Sequence, residues 1–557
     1  MRRSPLSPFV AILALATTAG ADTIRYQLAP DPDNALTNVE ISWQTRDRTT
    51  TEALLAESAP GLPDIPALVG DVAVDGADTA ARNGATWRLT HRRGATLTLR
   101  YAVKGGQRGL DWEATQRPVT NYRFFHALGK VFLLTPAETT RDAAAPRELH
   151  DVTLRWRLPE GWSGSSSLGV GTSVGARLSG ADIRDATFLA GKLTRESRKV
   201  GPCQLDLSLA GEYRFNSAQL ADLAEELLKT QMTMVGETDL REYVVHVVPV
   251  GAALANGQTR IAGSGLLRSF ALWLPPNAVL DDAVENLFAH EMFHQWNGRT
   301  LRAAMPDKLA YWFVEGFTDY FAMRSLLQSG RWTPKTYAKW INRCLRDYAQ
   351  NPEKNASNER IAADYWNERA TVGEAPYQRG HLLALRWTRL AQTHGKADAV
   401  DQWFRALLDH ARSDPRFELT NAELRTTGRK HLGEWFVAEF DRYVADAATI
   451  DLPLDALGPR FNGKATTSFA FDPGFSIEKS IKAKRVEGLR PGSAAAKAGL
   501  RESDKLLSWT IPRESDRPLL LRIRRGERDS EIKYLPRGAA FELLQFEPID
   551  DSRRPKK

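Results

Sequence analysis

The sequence predicts an α+β multidomain chain: a β-sandwich-like front, a mostly helical middle and a small β domain at the end. Three observations lead there. At 557 residues the chain exceeds what one hydrophobic core organises, so several domains are expected. Apolar and polar residues alternate in short runs up to about residue 212, then recur with helical spacing. Near residue 456 the helical pattern stops and strand-like runs return. With 42% hydrophobic and 26% charged residues, each part has enough apolar side chain to build a core.

Residues 1–21 read as a signal peptide. Arg2 and Arg3 give a positive start, Phe9 to Thr18 a short apolar run, and Ala19-Gly20-Ala21 a small-residue cleavage site. The apolar run is too short to span a bilayer, and no later segment is long and apolar enough to do so. The expected location is periplasmic or secreted.

Residues 22–212 form the N-terminal β-rich domain. "TIRYQLAP", "NVEISWQT", "ATWRLTHR", "ATLTLRYAV" and "VTLRWRLP" alternate as half-buried strands do, separated by Gly, Pro and Asp turns. Residues 213–455 form the domain in which chemistry is expected. "SAQLADLAEELLKTQMTMV" has helical spacing, with Ser217 as the expected N-cap. "REYVVHVVPV" and "LLRSFALWLPP" read as strands, and from Leu280 helices follow one another to "LGEWFVAEFDRYVA". Residues 456–470 are a linker, 471–545 a β domain with one short helix, and 546–557 a charged tail.

The formal charge of +7 is spread among acidic residues, as in "RRGERDSEIK". Without a basic stripe carrying interleaved aromatics, nucleic-acid binding is not expected. Cys203 and Cys344 are the two cysteines. Two readings stand for them, a disulfide in an oxidising compartment or two buried thiols. Neither belongs to a Cys-x-x-Cys, so cysteine does not supply metal ligands.

The chemistry concentrates in "AHEMFHQWNGR", residues 289–299. His290 and His294 are four apart, so a helix presents both imidazoles on one face to one metal ion. Glu291 lies beside them, where a carboxylate can take a proton from activated water. A catalytic zinc ion needs a third protein ligand and an open position. Glu315 in "WFVEGFTDYF" supplies the ligand, and Asp319, one turn on, can orient a ligand histidine. An isolated H-E-x-x-H pair also arises by chance on amphipathic helices; Glu315 and Asp319 at helical spacing weigh against chance here. The remaining histidines show no ligand spacing.

"HEMFHQWNGRTLR", "WFVEGFTDYF" and "PYQRGHLLAL", in that order, resemble the PDZ-containing metallopeptidases of the glycyl aminopeptidase family, within the gluzincin group. The resemblance is clear from about 215 to 450 and looser on either side. It implies a thermolysin-like catalytic domain behind the β domain, one Zn2+ ion held by His290, His294 and Glu315, and Glu291 as general base. Tyr377 is similar to the tyrosine that such enzymes place before a basic residue and a glycine, where it stabilises the oxyanion. Trp296-Asn297 followed by a basic residue is specific to this family; Arg299 stands where lysine is usual.

The resemblance fails at one place. The family's segment Gly-Gly-Leu-Glu-His carries the acid that holds a substrate's free amine. The matching substrate-cleft stretch here is Gly265, Leu266, Leu267 and Arg268, with Leu267 and Arg268 where Glu and His would fall. Leucine cannot pair with an ammonium and arginine repels it. Either another carboxylate, such as Glu285 or Glu374, takes the role, or the enzyme does not read an N-terminus; the second is favoured slightly. "LRPGSAAAKAGLRESDKLLSW" resembles the helix-and-turn segment of bacterial PDZ domains, with Ser503 in place of a glycine. That likeness implies Gly474, Phe475 and Ser476 as a loop receiving the C-terminus of a peptide, or a docking module that binds nothing. An active peptidase of peptide or protein substrates is the expectation. An inactive peptide-binding paralogue and another hydrolase on the same scaffold are the alternatives.

Overall fold

The computed structural model describes residues 23–107, 109–137, 149–253, 260–414, 416–512 and 514–549. The expected signal peptide and residues 550–557 of the expected tail lie outside them. Two compact units emerge, one reaching Leu301 and including Leu408–Glu418, the other formed by Arg302–Leu407 and the chain from Leu419.

The first unit begins with strand-rich layers. Thr23–Asp31 pairs antiparallel with Leu36–Gln44 and parallel with His150–Trp156 in a six-stranded sheet. Its alternation puts Ile24, Tyr26 and Leu28 inside, facing a core that includes Trp43, Phe125, Phe132 and Phe188. Four-stranded and five-stranded sheets complete these layers.

Behind them lies a second five-stranded sheet. Cys203–Leu209, Glu242–Pro249 and Ser269–Leu274 run parallel in it, and Thr194–Val200 and Ala262–Leu266 lie at its edges. The central parallel strands are buried on both faces and read as continuous apolar runs such as "YVVHVV". His246 interrupts that run, and hydroxyls satisfy it: Ser165 Oγ lies 2.9 Å from Nε2 and Thr187 Oγ1 3.1 Å from Nδ1. Burial drives its pKa well below the ordinary histidine value, so the ring stays neutral.

"LLRSFALWLPP" is not one strand. Leu267 and Arg268 form a two-residue turn, with Arg268 at φ +43°, between Ala262–Leu266 and Ser269–Leu274. The helix Ser217–Val235 is capped one residue earlier than expected. Asn216, not Ser217, accepts from the Gln219 amide and closes a capping box, and Gly236 ends the helix at φ 69°. Leu220, Leu223, Ala224, Leu227 and Leu228 form its buried stripe.

The second unit is helical in its first part. Gly316–Gln328 crosses Ala375–Thr393 with the backbones in contact: a Cβ placed on Gly316 would lie 2.3 Å from Gly380 Cα. Only glycine at both positions permits that approach. Trp312, Phe313, Phe317, Trp387 and Phe436 pack edge-to-face and stacked around it.

The chain ends in a ribbon of Phe461–Phe471 with Arg537–Pro548 and a three-stranded sheet, Lys505–Thr510, Leu519–Arg525 and Arg528–Tyr534. Two short helices accompany them, Ile477–Ala483 and Ala494–Lys497, where one was expected. Phe475, Val486, Leu500, Leu506, Leu521 and Ile523 give this module its own core. Ser503 adopts φ +65°, the left-handed conformation for which the expected glycine is suited. Asn342 of the helix Pro334–Gln350 joins the ribbon by a reciprocal pair: Nδ2 donates to Phe546 O at 2.9 Å and Phe546 N donates to Oδ1 at 2.8 Å.

Candidate metal centre

The helix Asp282–Phe293 carries the first half of the site. Asp281 caps it, accepting from the Ala283 and Val284 amides at 3.1 and 3.0 Å. The motif straddles the helix end: His290 sits in the last turn and His294 is the C-cap, with their Nε2 atoms 3.0 Å apart. His294 Nδ1 lies 2.8 Å from the carbonyl of Asn297. A carbonyl only accepts, so Nδ1 carries the proton and Nε2 keeps its lone pair for a metal. That tautomer lock, expected from a carboxylate such as Asp319, comes for His294 from the backbone of the next turn.

Trp296 and Arg299, after His294, anchor this turn. Trp296 Nε1 donates to Glu237 Oε2 at 3.0 Å, and the same oxygen accepts from Arg412 Nη2 at 2.8 Å. Arg299 reaches the edge strand: its Nε and Nη2 donate to Gly265 O at 3.1 and 2.7 Å, and Nη1 to Asp185 Oδ2 at 2.5 Å.

The edge strand Ala262–Leu266 lies directly on this helix. A Cβ on Gly263 would sit 2.4 to 2.6 Å from Glu291 Cγ, Cδ and Oε1, and one on Gly265 2.5 Å from His294 Cβ. The two glycines therefore make the room that Glu291 and His294 occupy. The hairpin closes with Leu266 opposite Ser269, so alternation leaves Gly263 and Gly265 with N–H and C=O on the open side of the sheet. Of the expected cleft residues, Gly265 reaches the His294 side chain, Leu266 is buried in the core, and Leu267 and Arg268 form the turn.

The second half belongs to the helical unit. Glu315 sits between Tyr311–Val314 and Gly316–Gln328, its amide bonded to Tyr311 O at 2.8 Å. Tyr377 lies in the first turn of Ala375–Thr393, and its hydroxyl is 2.9 Å from that of Tyr365. Burial, reinforced by the charge of Glu315, pushes the Tyr377 phenol well above its ordinary pKa. It is therefore a proton-bearing hydrogen-bond donor at neutral pH. The Arg369 guanidinium lies 5.0 Å over the Tyr365 ring and 5.1 Å over Tyr377, and pairs with Glu374 at 2.8 Å. Asp319 bonds through its amide to Glu315 O at 3.0 Å, and its charge is felt at His381 and Cys344. His290, His294 and Glu315 form a group able to hold a metal ion: one ligand atom from each lies within 4.8 Å of the others.

Sequence reasoning missed Gly263, Glu237, Asp185, Tyr365 and Arg369. Gly263 alone had a local signal, as one of the small residues in "AGSGL" before a strand rich in large ones.

Two histidines and a carboxylate at ligand spacing, a glutamate on the same helix and an open sheet edge beside it define a metallopeptidase. Residues 283–383 match the family described as M61 glycyl aminopeptidase. That segment is similar to the glycyl aminopeptidase family, and the chain is a peptide-bond hydrolase. No curated protein sequence matches the chain. Among solved structures it is similar to an aminopeptidase N family protein from Idiomarina loihiensis, at 16% identity and a TM-score of 0.65, over 94% of this chain and 98% of that one. It is also similar to the M1 zinc metallopeptidase of Deinococcus radiodurans, in a mutant form bound to a Tyr-Ser-Ala substrate. There the identity is 14% and the TM-score 0.53, over 78% of this chain and 95% of that one. At such identities the likeness is one of fold.

Proposed function

We propose an exported, zinc-dependent metallopeptidase that cleaves peptide bonds without requiring a free N-terminus. The grouping of His290, His294 and Glu315 within 4.8 Å carries the metal part of this reading. Their donor set, two imidazoles and one carboxylate, suits zinc with a position left open. Bound there, zinc supplies Lewis acidity towards water and a carbonyl oxygen. Glu291 accepts the proton of the attacking water and returns it to the leaving nitrogen. Tyr377, kept protonated, donates a hydrogen bond to the oxygen on which negative charge develops. Gly263 offers its outward N–H and C=O to the substrate backbone as a strand would. Export rests on the leader-like residues 1–21.

The cleavage mode rests on the turn Leu267–Arg268, which brings no carboxylate to the end of the edge strand. A second reading, an aminopeptidase using another acid such as Glu374, is favoured by the description of the matching family. The test compares one peptide with a free and with an acetylated N-terminus. Rates within about threefold of each other are expected; a preference above tenfold for the free peptide would establish the second reading.

For the C-terminal module the docking role is favoured over capture of a peptide C-terminus. Around Gly474, Phe475 and Ser476, the Gly474 amide donates to Asp472 Oδ1 at 2.8 Å and the Ser476 amide to Glu487 O at 2.9 Å, while Phe475 is buried in the core. The segment that would pair with a bound strand is instead the helix Ile477–Ala483. The link from Asn342 to Phe546 supports docking.

A further inference from the structure

The end of the edge strand carries more positive charge than its own contacts use. Leu267 N donates to Asp185 O at 2.9 Å, which seats the turn on the end of the short helix Gly180–Arg184. Asp185 is engaged with Arg299, whose other nitrogens hold Gly265 O. Lys130 stands against the same helix end: its neighbour Gly129 donates to Ala186 O at 2.8 Å and leaves no room for a side chain beside Ile183 O. Burial lowers the Lys130 pKa; Asp185 opposes the shift, and Arg299 and Arg184 add to it. Among the described residues Lys130, Arg184 and Arg268 have no carboxylate within 4.0 Å and donate no side-chain hydrogen bond. Asp185, paired with Arg299, is the one carboxylate among the groups that act on Lys130, where Arg299 and Arg184 bring like charge, and Arg268 adds a further cation at the turn.

A half-buried ammonium without a partner is costly, and an arriving carboxylate removes that cost. The place is also close to the chemistry, because Gly265, whose carbonyl Arg299 holds, lies against His294. We infer that Lys130, Arg184 and the Leu267–Arg268 turn form an anion subsite that selects peptides with an Asp or Glu side chain within two residues of the scissile bond. The inference rests on the peptidase reading and specifies its substrate class. It also explains why the amine-binding acid is missing here: the same place is built for the opposite charge.

The test uses the full zinc-loaded chain and acetylated, internally quenched peptides that differ only by Glu, Gln or Lys at each of the two positions on either side of the cleaved bond. At one position the Glu peptide is expected to exceed Gln by about tenfold in kcat/KM, with Lys lowest. Lys130→Met and Arg184→Gln should each bring the Glu/Gln ratio towards one. Lys130→Glu should raise the Lys peptide above Glu, an outcome that a folding defect would not produce. Equal cleavage of Glu and Gln peptides at every position, or a preference for Lys, overturns the subsite alone. Cleavage of none of them overturns the peptidase reading and the subsite with it.

Discussion

Glu291→Gln is expected to lower kcat on a peptide substrate by about three orders of magnitude while leaving the fold and metal content unchanged. The size follows from what a positioned base contributes, about 10²- to 10⁴-fold. Glutamine keeps the shape of the side chain that fills the space opposite Gly263, so packing is preserved. It cannot accept the water's proton. Glu291 is nine-tenths buried, which keeps bulk water from replacing it as a proton acceptor. The measurement is steady-state turnover beside circular dichroism and thermal unfolding. A folded variant with wild-type turnover would remove Glu291 from the mechanism.

The second large effect is expected at Gly380, a residue without chemistry of its own. A methyl group there would lie 1.6 Å from Trp312 O and 2.8 Å from Gly316 Cα, both backbone atoms that cannot rotate away. Gly380→Ala must therefore push the helix Ala375–Thr393 off its neighbours. Overpacking of this kind costs about 1–3 kcal/mol, and rigid backbone on both sides places it at the upper end. Tyr377 is one turn away on the same helix and moves with it, relative to Glu315. Turnover should fall at least tenfold even where the variant is still folded, with the loss in kcat more than in KM. Wild-type thermal stability and turnover would show that the crossing is looser than described.

How much of this was readable from the sequence differs between the two halves of the site. His290, Glu291 and His294 are legible because a helix converts an i, i+4 pattern into a common face and because Glu315 and Asp319 downstream weigh against a chance pair. Arg299 was noticed as a departure from lysine, but its use of three nitrogens on Gly265 O and Asp185 depends on elements far apart in sequence. Lysine has no fork with which to make those contacts. Tyr365 was invisible for a similar reason: its partner Tyr377 is twelve residues on, past a turn that no periodicity describes.

Local ambiguity explains other differences. Asn216 and Ser217 are both good caps, and Gln219, three residues after Asn216, decides between them through the capping box. "SIEKSIKAK" read as part of a β domain, yet Ile477–Ala483 is a helix that ends at Lys484 in the left-handed region. Cys203 and Cys344 are both free, and burial pushes the Cys203 thiol up to about 12, so it does not ionise at neutral pH. Of the two readings for these cysteines, the thiols hold.

The metal content of the purified chain, read by mass spectrometry beside peptide turnover, bears most directly on the central claim. One zinc ion per chain is predicted, with turnover lost on chelation, restored by zinc, and absent from a folded His294→Ala variant that binds no metal. A folded, metal-free chain that hydrolyses peptides at an undiminished rate would contradict it.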